Sequence, residues 1–493
     1  MASQTHIAPK TTVPTIVRMA APEFEQLRSI VFSRYPDREW ASFVRFGWRE
    51  TPNYLVLTLA EVEGPQIDDL DPSVAHVAIR EPYTLRTALA AEGHPLAIGI
   101  VHSHPVGCMP SPSLIDDDMD SYYGGYFQDF APSRPYVSLI FAEIDGEPAI
   151  SGRVLWRNEW QYVVKFVVER TSIRTWVRGR ISSGGEKPRE RTARLNAAFG
   201  DEAASRLRMS SVAVIGAGGT GSAAIEILAR AGVGRIIVVD PDFVDESNLE
   251  RIHGSCPDDV RVRQAKVSLA RRHVLSIDPS CDVAAYIGAL PQKDIVDAIV
   301  SADIALGCTD QQHSRLALSD IAIRYLIPCL DCGVTIEGNE GLVSAQVLQI
   351  IRFLASDPCA LCRGIVNPVR VAQELTSPQD RARRRAAAAN AQKAGFDGSA
   401  YWRDTPQLNT VGYLTTMAGA MLAGYAVGWL TGRFDAPFER LQLNLTGKFL
   451  DVTDSVDVPR ADCSCRQMRG KADQAADRAL ISSPSHWAAP QAI

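Results

Sequence analysis

The polarity pattern of the chain alternates between two rhythms. Residues 212–215 (VAVI) are continuously apolar and predict a buried strand. Four glycines follow at once, at 216, 218, 219 and 221, and the stretch from there through Arg230 has helical spacing. A second apolar run, 236–239, ends on Asp240. The order strand, glycine turn, helix, strand predicts an α/β unit with its turn open to a ligand. Earlier in the chain, β-like runs at 54–60, 96–101 and 137–142 are interleaved with helix-like runs at 23–34 and 83–92, which predicts a separate mixed α/β domain. Between the two lies 178–189, polar and glycine-rich without periodicity, and it reads as a boundary. Residues 405–432 carry no charge, but their glycines, threonines and asparagine predict a buried helix of the sheet domain rather than a membrane span. Residues 444–452 predict one late strand. The alanine-, serine- and proline-rich stretch 476–493 predicts a loose tail.

Composition narrows the class. In 493 residues, 46% are hydrophobic, enough for ordinary globular cores, and a net charge of -6 argues against a nucleic-acid partner. Ten cysteines are too sparse for a disulfide framework, and six of them sit in tight pairs, so metal binding in a reducing, cytoplasmic setting is expected. The first residues show no signal pattern.

Glycines let the backbone approach a phosphate at a helix N-terminus, and an acid ending the second strand can accept from ribose hydroxyls. A dehydrogenase would use the same turn but needs none of Asp242, Asn248 or Arg251. The segment GAGGTGS followed by DPDFVDESNLER resembles the E1-like, ThiF/MoeB-type family that adenylates the C-terminal glycine of ubiquitin-like proteins. That resemblance implies a Rossmann-like adenylation domain over 191–475 and roles for further residues in family order. Gly216, Gly218, Gly219, Gly221, Asp240, Asp242 and Asn248 would bind ATP. Arg251 and Lys266 would offset the repulsion between two anionic reactants, and Asp310, in the C-T-D strand end, would hold Mg²⁺. Arg194, in a lead-in helix, would reach into the ATP site of a partner subunit in a two-fold dimer. Where the family has N-L-N-R, this chain has Glu250, which puts a negative charge beside the phosphates unless it points away. No cysteine occurs between Cys362 and Cys463, the place of the family's thioester loop, so an enzyme stopping at the acyl-adenylate is expected, with a displaced cysteine as the alternative. A basic helix over 380–390 reads as a solvated face, or as a grip on an acidic carrier.

Residues 1–175 hold a second constellation. His102 and His104 alternate at the end of an apolar run, so both face one side, and Asp116 could complete three ligands for a catalytic zinc. The set resembles the JAMM (JAB/MPN) metalloprotease motif, Glu…His-x-His…Ser-x-x-Asp. The resemblance implies Glu39 as the proton shuttle, with Glu50 and Glu61 as alternatives, and Ser113 as a stabiliser of the oxyanion. Eight residues rather than seven separate His104 from Ser113, which leaves Ser111 or Asp117 as other readings. Cys359, Cys362, Cys463 and Cys465 offer four soft ligands for a structural zinc, with a redox pair as the alternative. The sequence thus predicts a JAMM-type domain (1–175), a linker (176–190), the adenylation domain (191–475) and a tail (476–493). The expected partners are a ubiquitin-like or sulfur-carrier protein, an E2-like protein, and no membrane. Sulfur-carrier activation for cofactor synthesis and a non-catalytic scaffold remain the other readings.

Overall fold

The computed structural model describes residues 13–493 except 37, 73–76, 106, 170–173, 178–189, 405–409, 448–449 and 454–457. Most of the expected linker lies outside the described residues. The chain forms two compact units, one of residues 1–168, 175–180 and 470–474, the other of 169–174, 181–469 and 475–493.

The first unit is built on an eight-stranded sheet. Its strands are β1 (Thr15–Ala20), β2 (Ala41–Glu50), β3 (Leu55–Glu63), β4 (Ala97–Ser103), β5 (Tyr136–Ile144), β6 (Glu147–Trp156), β7 (Glu159–Glu169) and β8 (Arg174–Val177). They run in the order β1-β3-β2-β4-β5-β6-β7-β8, and β1 also pairs with β7. Alternation on β2 sends Phe43 into a cluster with Tyr83 of α2 (Glu81–Glu92) and Phe127 of α3 (Leu114–Phe130). Val44 and Phe46 face the other way, toward Phe24 and Leu27 of α1 (Ala21–Val31). Residues 470–474 complete this unit. Gly470 O accepts from Gly47 N (3.2 Å) and Thr58 Oγ1 (2.7 Å), Gln474 accepts from Trp48 N (2.7 Å), and Asp473 pairs with Arg49 (2.6 Å).

The second unit has a nine-stranded sheet of β9 (Ser211–Ile215), β10 (Arg235–Val239), β11 (Asp282–Ile287), β12 (Ile304–Gly307), β13 (Cys329–Asn339), β14 (Leu342–Phe353), β15 (Arg440–Asn444), β16 (Leu450–Thr453) and β17 (Gln491–Ala492). The order is β16-β15-β14-β13-β12-β9-β10-β11-β17. The central strands from β11 to β13 are parallel. Burial on both faces explains why β9 reads as an unbroken apolar run. Its helices include α4 (Ala193–Phe199), α5 (Asp201–Met209), α6 (Gly219–Ala231), α7 (Lys266–Ile277), α8 (Gln312–Tyr325), α9 (Pro368–Glu374), α10 (Pro378–Lys393) and α11 (Gly412–Thr431). The uncharged stretch is α11, packed on α6, and no described helix is long and apolar enough to cross a membrane.

Two expectations are corrected. The single late strand is a hairpin, β15 and β16, because Asn444 Oδ1 accepts from Thr446 N (3.1 Å) and turns the chain there. The stretch 476–493 is not loose. Ile481 is buried, and β17 adds antiparallel to β11, whose edge groups would otherwise lack partners.

Candidate functional site

The carboxyl ends of β9, β10 and β12 open on one cavity of about 1100 Å³. At the end of β9 the backbone turns through Gly216, whose φ is +99°. A Cβ there would meet Cys308 O at 2.6 Å, and one on Gly221 would meet Gly216 O at 1.8 Å, so both are glycine for close packing. Gly221 is therefore a packing residue, and it does not line the cavity as expected. At Gly218, which does line it, no atom lies within 4 Å of a Cβ position. That leaves bare backbone at the N-terminus of α6, a cradle of the size and polarity a phosphate needs.

Asp240, at the end of β10, holds the turn in shape. Its carboxylate accepts from Ala217 N (2.6 Å) and Asp242 N (2.8 Å). Burial raises its pKa while the Lys266 charge opposes that rise. Lys266 opens α7, and its Nζ reaches Asp242 Oδ2 at 2.8 Å. Arg251 Nη1 donates to Ser247 O (3.0 Å). Asp240, Asp242, Arg251, Lys266 and Asp310 all line the cavity. Among the described residues the exposed Asp310 carboxylate has no hydrogen-bond or ion-pair partner. Glu250 does not line the cavity: its Oε1 accepts from Gly412 N (2.6 Å) at the start of α11, where the helix dipole favours a negative charge, and its Oε2 lies 4.0 Å from Arg251 Nη1.

Two expected positions fall elsewhere. Asn248 is buried and does not line the cavity, because its side chain closes a capping box with Asp245 (3.3 Å). Arg194 is exposed on α4, outside the cavity of its own chain. Conversely, the basic helix α10 contributes Arg381 to the wall, and the C-terminal stretch contributes Trp487. The sequence marked the basic helix only as a solvated face or a carrier grip, and it gave no sign of Trp487.

In the first unit, His102, His104 and Asp116 come together. Asp116 Oδ1 lies 3.0 Å from His102 Nε2, and Oδ2 lies 3.4 Å from His104 Nε2. Ser113 caps α3 by accepting from Asp116 N (3.3 Å), while Asp116 Oδ2 accepts from Ser113 N (2.6 Å), which fixes the carboxylate. His104 Nδ1 donates to Met109 O (3.1 Å), leaving Nε2 as the ligand nitrogen. Burial opposes charge on His104, but bonds to Asp116 and Met109 and the nearby Asp116 and Glu39 charges raise its pKa. His102 Nε2 is buried without an aligned hydrogen bond, an orphaned ring nitrogen that fits a metal ligand. The alternatives lie elsewhere: Glu50 pairs with Arg157, Glu61 with Arg45 and Lys471, and Asp117 with Arg153.

Cys359, Cys362, Cys463 and Cys465 also converge, with Sγ pairs at 3.5 and 3.8 Å. Those separations match the edge of roughly 3.8 Å that Zn–S bonds of about 2.3 Å give a tetrahedron, and no pair is a disulfide.

Residues 190–467, more than half the chain, match the model of the ThiF family. The chain belongs to the ThiF family. The glycine turn, the cavity cations and the four cysteines lie inside that match, and the His102 cluster lies outside it. The ThiF-family chain is 35% identical over 159 residues to the adenylyltransferase and sulfurtransferase UBA4 of Candida albicans, 32% of this chain and 34% of that protein. It is 30% identical over 200 residues to the sulfur carrier protein ThiS adenylyltransferase of Bacillus subtilis, 34% of this chain and 59% of that protein. The chain thus spans about a third of the UBA4 length. The crystal structure of E. coli MccB superposes over 57% of this chain and 73% of that one, at 16% identity and a TM-score of 0.42.

Proposed function

We propose that the second unit adenylates the C-terminal carboxylate of a ubiquitin-like or sulfur-carrier protein. What carries this reading is the convergence of Gly218, Asp240, Arg251, Lys266 and Asp310 on one cavity in a ThiF-family domain. A carrier carboxylate oxygen attacks the α-phosphorus of ATP, the bond to the β-phosphate oxygen breaks, and pyrophosphate leaves. The bare turn at Gly218 receives phosphate oxygens. Arg251 and Lys266 neutralise the charge that builds as the two anions meet. Asp310, free on the wall, would hold a Mg²⁺ ion, which supplies further charge neutralisation when bound. Arg194, exposed and outside its own cavity, is assigned across a two-fold dimer.

The reaction is read as ending at the acyl-adenylate. Cys308 and Cys332 line the cavity, but burial pushes both thiols well above the ordinary range, so they stay protonated and weakly nucleophilic. Whether the acceptor is a sulfide donor or an E2-like protein is then a property of the carrier.

For the first unit the proposed activity is zinc-dependent cleavage of a peptide or isopeptide bond after the same carrier's tail. His102, His104 and Asp116 would hold the ion, which when bound polarises the scissile carbonyl and acidifies water. Glu39 would take and return the proton, and the Ser113 hydroxyl would donate to the developing oxyanion.

ATP–pyrophosphate exchange dependent on a carrier ending in Gly-Gly tests the adenylation. Lys266→Ala is expected to lower it by about 10²–10³, the usual cost of one preorganised charge donor. Exchange retained in that variant and in Asp310→Ala would remove the claim. For the metals, elemental analysis is expected to give two zinc ions per chain, one lost in His104→Ala and the other in Cys465→Ser.

A further inference from the structure

The last residues of the chain close one wall of the cavity. In β17, Gln491 lies opposite Ile287 and Ala492 opposite Tyr286. Gln292 clamps the approach: its Nε2 donates to Ala488 O (2.6 Å) and its Oε1 accepts from Ala289 N (2.7 Å). A Cβ on Gly288 would lie 3.1 Å from Pro490 Cβ, so this strap and the end of β11 are in contact. The Trp487 ring stands 5.3 Å from that of His313, edge to face, and it lines the cavity together with Ala488 and Gln491.

Sheet order says which part of a nucleotide would come here. This step rests on the nucleotide reading above. Phosphates at the glycine turn after β9 and a ribose at Asp240 after β10 leave the base pointing to the next strand outward, β11. Residues 287–290 at its carboxyl end line the cavity, and the strap faces them. We propose that residues 486–491 form the base subsite for ATP, with Trp487 as its aromatic wall. The strap contributes to holding adenosine and nothing to holding the phosphates.

Calorimetric titration of the full chain with ATP and with inorganic tripolyphosphate separates the two roles. Trp487→Ala, and a chain ended at 483, are expected to weaken ATP about tenfold, the order that loss of one base–aromatic contact gives, and to leave tripolyphosphate unchanged. Lys266→Ala is expected to weaken both ligands. If the shortened chain does not fold, Trp487→Ala decides. Unchanged ATP affinity in Trp487→Ala, or equal losses for the two ligands, would overturn the base subsite while a Lys266→Ala loss keeps the nucleotide reading. Failure of the unaltered chain to bind either ligand would overturn both.

Discussion

Near the glycine turn one carboxylate links three cationic or neutral partners. Glu226 on α6 faces His253 Nδ1 (2.9 Å), His273 Nε2 (3.1 Å) and Arg230 (2.7 Å). Burial would raise its pKa, but bonds from His273, Arg230 and His253 outweigh this and bring it to about 2, against an ordinary 4.5. The folded state therefore prefers the ionised carboxylate. Its contribution is complete above about pH 4.5 and is lost as pH falls toward 2. Glu226→Gln is expected to flatten the acid limb of a stability–pH curve from urea melts, with no change in slope above pH 6. At this same scale lies the limit of motif reading. Motif order named Asn248 as a ligand-side amide, yet the local demand for a cap at Asp245 took its side chain instead. Asp116 resolved the other way: the Ser-x-x-Asp spacing that named it is also that of a capping box, and the box with Ser113 brings its carboxylate to both imidazoles.

Among the elements, long apolar runs were legible and short partners were not. β9 and α6 follow from a continuous run and a helical repeat, both local signals. The strap escaped notice because a two-residue strand has no periodicity, and its pairing partner, β11, is remote in the chain. The β15–β16 turn was missed because one Asx turn interrupts an otherwise strand-like stretch. The Glu250 departure is also an element-scale matter. Its carboxylate supplies the acceptor that Val411, at the N-cap of α11, cannot. Glu250→Ala should cost about 1 kcal/mol of stability, as losing an N-terminal cap does, measured by thermal unfolding, and pyrophosphate exchange should fall little because the Glu250 side chain stays outside the cavity lining.

Across the whole molecule, the mixed α/β class and the adenylation fold were readable because the sheet's chemistry is laid out in sequence order, turn first, then Asp240, Arg251, Lys266 and Asp310. The composition of the first unit was less so, since its last piece arrives from 470–474, far from the rest. That late piece has a practical consequence. Cutting the gene after codon 175 would not liberate a self-sufficient first unit. It would strip Arg49 of Asp473 and leave the Gly47 and Trp48 amides facing water or another chain. Such a fragment is expected to melt several degrees lower than the same unit within the full chain, or to aggregate. Supplying 470–474 through a short glycine linker should restore it. The two units are better dissected by point changes than by scissors.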